Sequence, residues 1–264
     1  MEAERLTLSL AGGRFSTALL RAGEGEPLLY LHGALGPVGG WAPFLDELAR
    51  DFTVYAPWFP GYGETKGIEH LEDVIDLALY HLELLDGLGL PSAHVVGHFI
   101  GGMVAAEMAS LDPHRVRKLV LVSAAGLWRD DAPVADFFGM NPRDLPGALW
   151  ADPEGTIARQ AAAREEQDET RAVLALERTS GLSAVGKFLW PIPDKGLKRR
   201  LYRVKAPTLI LWGAEDRIIP PAYATTLAAY LPGSQVEILD GTGHLLMLEQ
   251  PQEFARKVTS FLKD

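Results

Sequence analysis

The sequence predicts an α/β fold, a mostly parallel central sheet flanked by helices and interrupted by an inserted helical block. Three observations predict it. Apolar runs of strand length alternate with segments of helical spacing along most of the chain. Several of those runs end in short turns rich in Gly and His, at the strand ends where open parallel sheets bind ligands. Between residues 125 and 203 the alternation stops, over a stretch too long for a loop without structure of its own.

Taken in order, residues 6–10 and 15–20 alternate apolar with polar, and Gly12-Gly13 between them reads as a hairpin turn. Residues 27–31 form a continuous apolar run that ends at His32-Gly33, as expected of a strand buried on both faces. Residues 41–48 have helical spacing, 52–56 read as the next strand and 57–63 as a Pro- and Gly-rich loop. Apolar residues at 71, 74, 75, 77, 78, 79, 82, 84 and 85 predict a helix over 71–88. A strand at 94–96, a Gly-rich turn, a helix over 100–109 and a strand at 119–122 follow. After the interruption come a strand at 208–212, a helix at 222–230, a strand at 236–239 and a helix at 253–262. The expected organisation is a core of residues 1–124 and 204–264, with a helical lid of residues 125–203 over the carboxyl ends of the strands.

The 264 residues suffice for one such domain with an insertion. A net charge of -10, from 35 acids against 25 bases, argues against nucleic acid or anionic lipid as partners. The densest basic runs, 115–118 and 198–203, are expected at solvated helix ends. The absence of cysteine excludes disulfides, a thiolate nucleophile and thiolate metal sites, and fits a cytoplasmic location. Met1-Glu2-Ala3-Glu4-Arg5 lacks the apolar core of a secretory signal. No run reaches the roughly 18 apolar residues of a membrane span. Dinucleotide, phosphate-loop and zinc-protease motifs are missing, so no cofactor or metal is expected.

Four motifs carry the chemistry. They are His32-Gly33-Ala34, Gly97-His98-Phe99-Ile100-Gly101-Gly102, Asp216 within the turn after residues 208–212, and His244 in Gly241-Thr242-Gly243-His244. In this order, and in register with the strand pattern, they resemble the α/β-hydrolase superfamily, in particular its lidded esterases and carbon–carbon hydrolases. The resemblance covers nearly the whole chain outside 125–203. It implies that Asp216 and His244 are the family's acid and base, and that the backbone N–H groups of Ala34 and Ile100 form an oxyanion hole. It also places Phe99 where the family keeps a Ser, Asp or Cys nucleophile. Phenylalanine has no lone pair to attack with, so an acyl-enzyme is excluded at this position.

A second departure is Trp58, where a similar family loop usually begins with Asp. Trp58, Trp128, Phe137, Phe138, Trp150 and Trp190 are candidates to line an apolar pocket, together with His32 and His98, whose rings are expected chiefly to make packing or loop hydrogen bonds. The expected ligand is a small apolar molecule, and exposed aromatics on the lid would also suit a homodimer contact. Three functions remain open. The first is an ester, lactone or C–C hydrolase in which an Asp216–His244 dyad acts as general base without a covalent intermediate. The second is a binding protein or pseudoenzyme, and the third a serine hydrolase whose nucleophile has been replaced.

Overall fold

The computed structural model describes residues 2–36, 40–165, 168–192 and 194–264. Its strands are β1 (Glu4–Leu10), β2 (Phe15–Ala22), β3 (Glu26–Leu31), β4 (Phe52–Pro57), β5 (Ala93–His98), β6 (Val116–Val122), β7 (Thr208–Gly213) and β8 (Gln235–Leu239). They form one sheet in the order β1-β2-β4-β3-β5-β6-β7-β8. β1 pairs antiparallel with β2, and β2 with β4; every other pairing is parallel.

The two-residue period of a strand divides the core in two. Leu29, Leu31, Val95, Leu119, Leu121, Ile210 and Trp212 face one side, and Leu28, Tyr30, Val54, Val96, Val120, Val122, Leu209 and Leu211 face the other. Both faces are covered, which is why the central strands read as unbroken apolar runs. Of the helices, α1 (Pro43–Leu48) buries Phe44, Leu45 and Leu48 on the second face. There α9 (Pro251–Lys263) adds Phe254, Val258 and Phe261. On the first face lie α2 (Val74–Gly87) and α3 (Ile100–Leu111). The side chain of Asp73 caps α2 by accepting the N–H groups of Ile75 at 2.8 Å and Asp76 at 3.0 Å.

Between β6 and β7 the described residues form α4 (Leu145–Leu149), α5 (Thr156–Glu165), α6 (Asp168–Leu189) and two single 3-10 turns, with no strand. α7 (Ala222–Tyr230) and α8 (Leu246–Glu249) complete the set. No helix among the described residues is long and apolar enough to cross a membrane.

The first basic run is not a helix end, whereas the second lies largely exposed at the ends of two 3-10 turns, with Arg200 the exception. The first leads into β6, where Arg115 pairs with Asp86, Arg117 with Glu26, and Lys118 donates to the carbonyl of Phe261. In the second, Arg200 forms a two-pronged ion pair with the fully buried Glu107 of α3, at 2.6 and 2.5 Å, and Arg203 donates to Ser110 O. A carboxylate removed from water requires such partners, and the local charge pattern that suggested solvation carried no information about Glu107. Arg200→Ala strands that carboxylate, and is expected to cost about 3 kcal/mol or more in urea denaturation; a loss below about 1 kcal/mol, the value of an exposed pair, would contradict this account.

Candidate active site

The turn from β5 into α3 is set by close backbone packing. A Cβ on Gly97 would collide with the carbonyl of Gly101, one on Gly101 with the carbonyl of Leu31, and one on Gly102 with Ala124 at 2.6 Å. Strand and helix therefore approach as only glycine allows, and the residue between them must reverse direction within one peptide. Phe99 does so at φ 53, ψ -112. Its backbone is pinned by three hydrogen bonds: Phe99 N–H to Val122 O, and Met103 N–H and Ala125 N–H to Phe99 O. A positive φ on a bulky residue costs on the order of 1–3 kcal/mol and persists where its surroundings over-determine it.

The Phe99 ring is 2% exposed. It stands edge to face against His244, with centroids 5.0 Å apart, and against Phe137, 5.2 Å apart. Phe137 stacks on Phe138 at 4.2 Å, and Phe138 meets Trp190 at 5.7 Å. An aromatic series thus runs from the buried histidine to the surface, where Trp190 is 57% exposed.

His244 and Asp216 meet from separate loops. The loops after β7 and β8 pack backbone to backbone at Gly213 and Gly243, and Glu215 N–H donates to Thr242 O. His244 Nδ1 lies 2.9 Å from Asp216 Oδ2, with both side chains buried. Asp216 Oδ1 accepts the N–H groups of Ile218 and Ile219, each at 2.9 Å, which fixes the carboxylate's orientation. Nδ1–H therefore donates to Asp216, and the lone pair remains on Nε2, which has no hydrogen-bond partner among the described residues.

The other two motif histidines, His32 and His98, serve the loops. His32 Nε2 accepts Phe59 N–H at 3.0 Å, so its Nδ1–H donates to Gly33 O at 2.8 Å. His98 Nε2–H donates to the carbonyl of His244 at 2.9 Å, and its ring fills the space beside Gly33, where a Cβ would lie 2.5 Å from Nδ1. Burial lowers the pKa of His32 to about 4 and that of His98 well below its ordinary value. Ile100 opens α3, so its N–H has no partner within the helix. Ala34 lies in the turn that follows β3, with Gly36 N–H bonded to Gly33 O.

A family model for the alpha/beta hydrolase fold matches residues 26–251. The chain belongs to the α/β-hydrolase fold family. Over 272 residues it is 28% identical to a 2-hydroxy-6-oxo-2,4-heptadienoate hydrolase of Pseudomonas putida, covering 99% of this chain and 98% of that one. It is 31% identical over 245 residues to the dihydrolipoyllysine-residue acetyltransferase component of the acetoin cleaving system of Cupriavidus necator. That match takes in 89% of this chain but spans only 63% of the relative's length. Among solved structures, a meta-cleavage product hydrolase from Pseudomonas fluorescens superimposes with a TM-score of 0.77 at 23% identity, covering 98% and 97% of the two chains. A bacterial membrane phospholipase A gives 0.82 at 23% identity, covering 99% and 86%. These two share the fold.

Within this α/β-hydrolase, Phe99, Phe137, His98 and His244 converge, while Phe138 lies one ring further out. Trp150 is buried where α4 meets the His244 loop. Trp128 is half-buried and its indole N–H donates to Asp130. Two expected pocket residues lie elsewhere. Trp190 is largely solvated, because only its Phe138 edge is covered. Trp58 turns its ring toward the Arg5 guanidinium, 5.3 Å away on edge strand β1, and against Gly63. That direction leads away from β5, because β2, β4 and β3 stand between β1 and β5.

Three neighbours of the dyad carried no motif. Leu149 O accepts His244 N–H at 2.9 Å; Arg217 donates to the carbonyls of Gly147 and Trp150; and Glu249 accepts Gly243 N–H at 2.6 Å and Ala151 N–H at 2.8 Å. Burial pushes the Glu249 carboxyl upward. These contacts join α4 to both loops of the dyad through backbone atoms, which leave no pattern in side-chain identity.

Two outcomes follow from the burial of Phe99 and of the histidines. Phe99→Ala is expected to lose about 3 kcal/mol or more in urea denaturation, and Phe99→Gly to be more stable than Phe99→Ala by about 1 kcal/mol, since glycine accepts φ 53 without strain. Equal stabilities would mean that the turn relaxes. Separately, the unfolded chain takes up protons near pH 6.5 that folded His32, at about 4, and His81, at about 3, refuse. Their contribution is complete above about pH 6.5 and lost as pH falls toward 4. The urea midpoint should therefore drop between pH 7 and 4.5, and a flat profile would contradict neutral buried rings.

Proposed function

We propose that the chain is a cofactor-independent hydrolase for a small to medium apolar carbonyl compound, an ester, lactone or ketone cleaved at a C–C bond, and that it works without an acyl-enzyme. The observation that carries this reading is the buried Asp216–His244 pair, 2.9 Å apart, with Nε2 of His244 unbonded among the described residues. In this scheme Nε2 removes a proton from water, and the resulting hydroxide adds to the carbonyl carbon. The charge on oxygen is received by the N–H groups of Ala34 and Ile100, the latter at the positive end of α3. The leaving group then departs with the proton held by His244. General-base and oxyanion effects each contribute roughly a hundredfold or more, so turnover without a serine is chemically reasonable. The relative named for hydrolysis of an oxo-dienoate supports a carbonyl substrate. Residues 125–203 act as a lid on a core of 1–124 and 204–264, and Phe99 with Phe137 forms the apolar wall.

One observation favours a second reading. The Phe99 ring occupies the space beside His244, at 5.0 Å, so a substrate must displace it. If the ring does not yield, the chain is an inactive scaffold or a binder of small apolar ligands.

Hydrolysis of p-nitrophenyl esters of short and medium acyl chains separates the two. The dyad reading expects slow turnover by the parent that falls at least a hundredfold in His244→Ala. A silent parent together with an active Phe99→Ser variant would overturn it, and would identify a serine-hydrolase scaffold lacking only its nucleophile.

A further inference from the structure

The contacts of Tyr62 connect two parts of the proposed site that are far apart in sequence. Its hydroxyl donates to the carbonyl of Ala34 at 2.7 Å. Its ring packs on that of His32, with centroids 4.7 Å apart, while Gly36 approaches its edge so closely that a Cβ there would lie 3.0 Å from it. Tyr62 thus touches the turn after β3 at three residues, 32, 34 and 36. The same edge, at Cε1 and Cδ1, also meets α6: a Cβ on Gly181 would stand 2.5 Å from Cε1. One side chain therefore links a lid helix to the residue that carries the Ala34 N–H, which it grips by the carbonyl of the following peptide.

The hydroxyl is suited to holding that residue, because fixing the carbonyl on one side of Ala34 restricts the rotation that would turn the N–H on its other side. Tyr62 is buried, and burial raises the phenol's pKa far above the working range, so it stays a donor. An N–H aimed at a developing oxyanion contributes only if its peptide cannot turn away, since pre-organisation is the source of the effect. The Ala34 carbonyl is the handle by which the residue's orientation is fixed. The seam between α6 and the Tyr62 loop is also incompletely filled. A groove of about 590 Å³ opens beside it, lined by Gly61, Ile68, Glu69, Ser180, Ser183 and Lys187. α6 therefore rests on this segment at a few close points, Gly181 on Tyr62, Ala184 on Gly61 and Lys187 Nζ donating to Ile68 O at 3.2 Å, beside the open groove.

We infer that Tyr62 is a positioning residue that couples the seating of α6 to the orientation of the Ala34 N–H, so that the oxyanion site is complete only when the helix is docked. This rests on the proposed oxyanion role of Ala34. The Gly181 contact sets the ring, the ring sets the hydroxyl, and the hydroxyl sets the turn.

Amide hydrogen exchange of the full chain tests the coupling without requiring turnover. Tyr62→Phe keeps the ring against Gly181 and removes only the bond to Ala34. Exchange across residues 31–36 should accelerate about fivefold to tenfold, the equivalent of one hydrogen bond, with α6 and the melting temperature nearly unchanged. Gly181→Ala, which presses on the ring, should accelerate exchange in both α6 and residues 31–36. Unchanged exchange at 31–36 in Tyr62→Phe would overturn the inference, as would a Gly181→Ala effect confined to α6. If the parent hydrolyses p-nitrophenyl esters, Tyr62→Phe should lower kcat about tenfold with KM unchanged, and a change in KM alone would overturn the oxyanion assignment. A parent that hydrolyses nothing defeats the proposed function, while the exchange result still decides the coupling.

Discussion

The reversal between β5 and α3 constrains everything around the site. Gly97, Gly101 and Gly102 let strand and helix pack with backbone against backbone, and no residue between them can reach a relaxed conformation. The three hydrogen bonds at Phe99 close on that arrangement from β6, from α3 and from the segment after β6. The strain is thus sustained by packing on every side, and the identity of the central side chain has little influence on the turn. The same geometry directs the side chain at His244, so a residue here must either react or fill space.

Phe99 fills space. A phenyl ring beside the imidazole places an apolar edge where a nucleophile would offer a hydrogen-bonding partner. Asp216 still orients His244 because its carboxylate is held by Ile218 and Ile219, and no part of that network passes through residue 99. The carboxylate clamp on His244 is thus built without residue 99, although His98 of the same turn donates to the carbonyl of His244. The turn can lose its chemistry while the dyad keeps its geometry.

The helical segment between β6 and β7 is fastened at defined places. Arg129 and Arg200 hold its two ends, through Tyr223 and Thr226 of α7 and through Glu107 of α3. α4 is bonded to the loops of Asp216 and His244 by Leu149, Arg217 and Glu249. α6 meets the Tyr62 loop at the close contacts of Gly181 and Ala184, beside the open groove. Hydrogen-bonded α4 belongs mechanically with the dyad, whereas among the described contacts α6 meets the segment around Tyr62 by packing and by the bond from Lys187 to Ile68 O.

The alternation of apolar runs with helical spacing was enough to establish a parallel sheet covered on both faces, because burial on both faces demands unbroken apolar strands. The motifs likewise singled out Asp216, His244 and Phe99, which the fold brings together, because sharp turns at strand ends require glycine and chemistry requires particular side chains. Helix boundaries shifted by a few residues, as at α1 and α2, where capping and packing rather than periodicity set the ends. Sequence could not say where the aromatics point. Trp58 and Trp190 resemble Phe137 in composition, yet one reaches toward Arg5, one into solvent and one onto Phe99. Nor could it reveal that Arg200 neutralises Glu107, or that Tyr62 holds Ala34, since these partners are separated by 93 and 28 residues. Local pattern encodes which elements form and which face they bury. Contacts between distant segments depend on how those elements pack in three dimensions, and only the tertiary structure decided them.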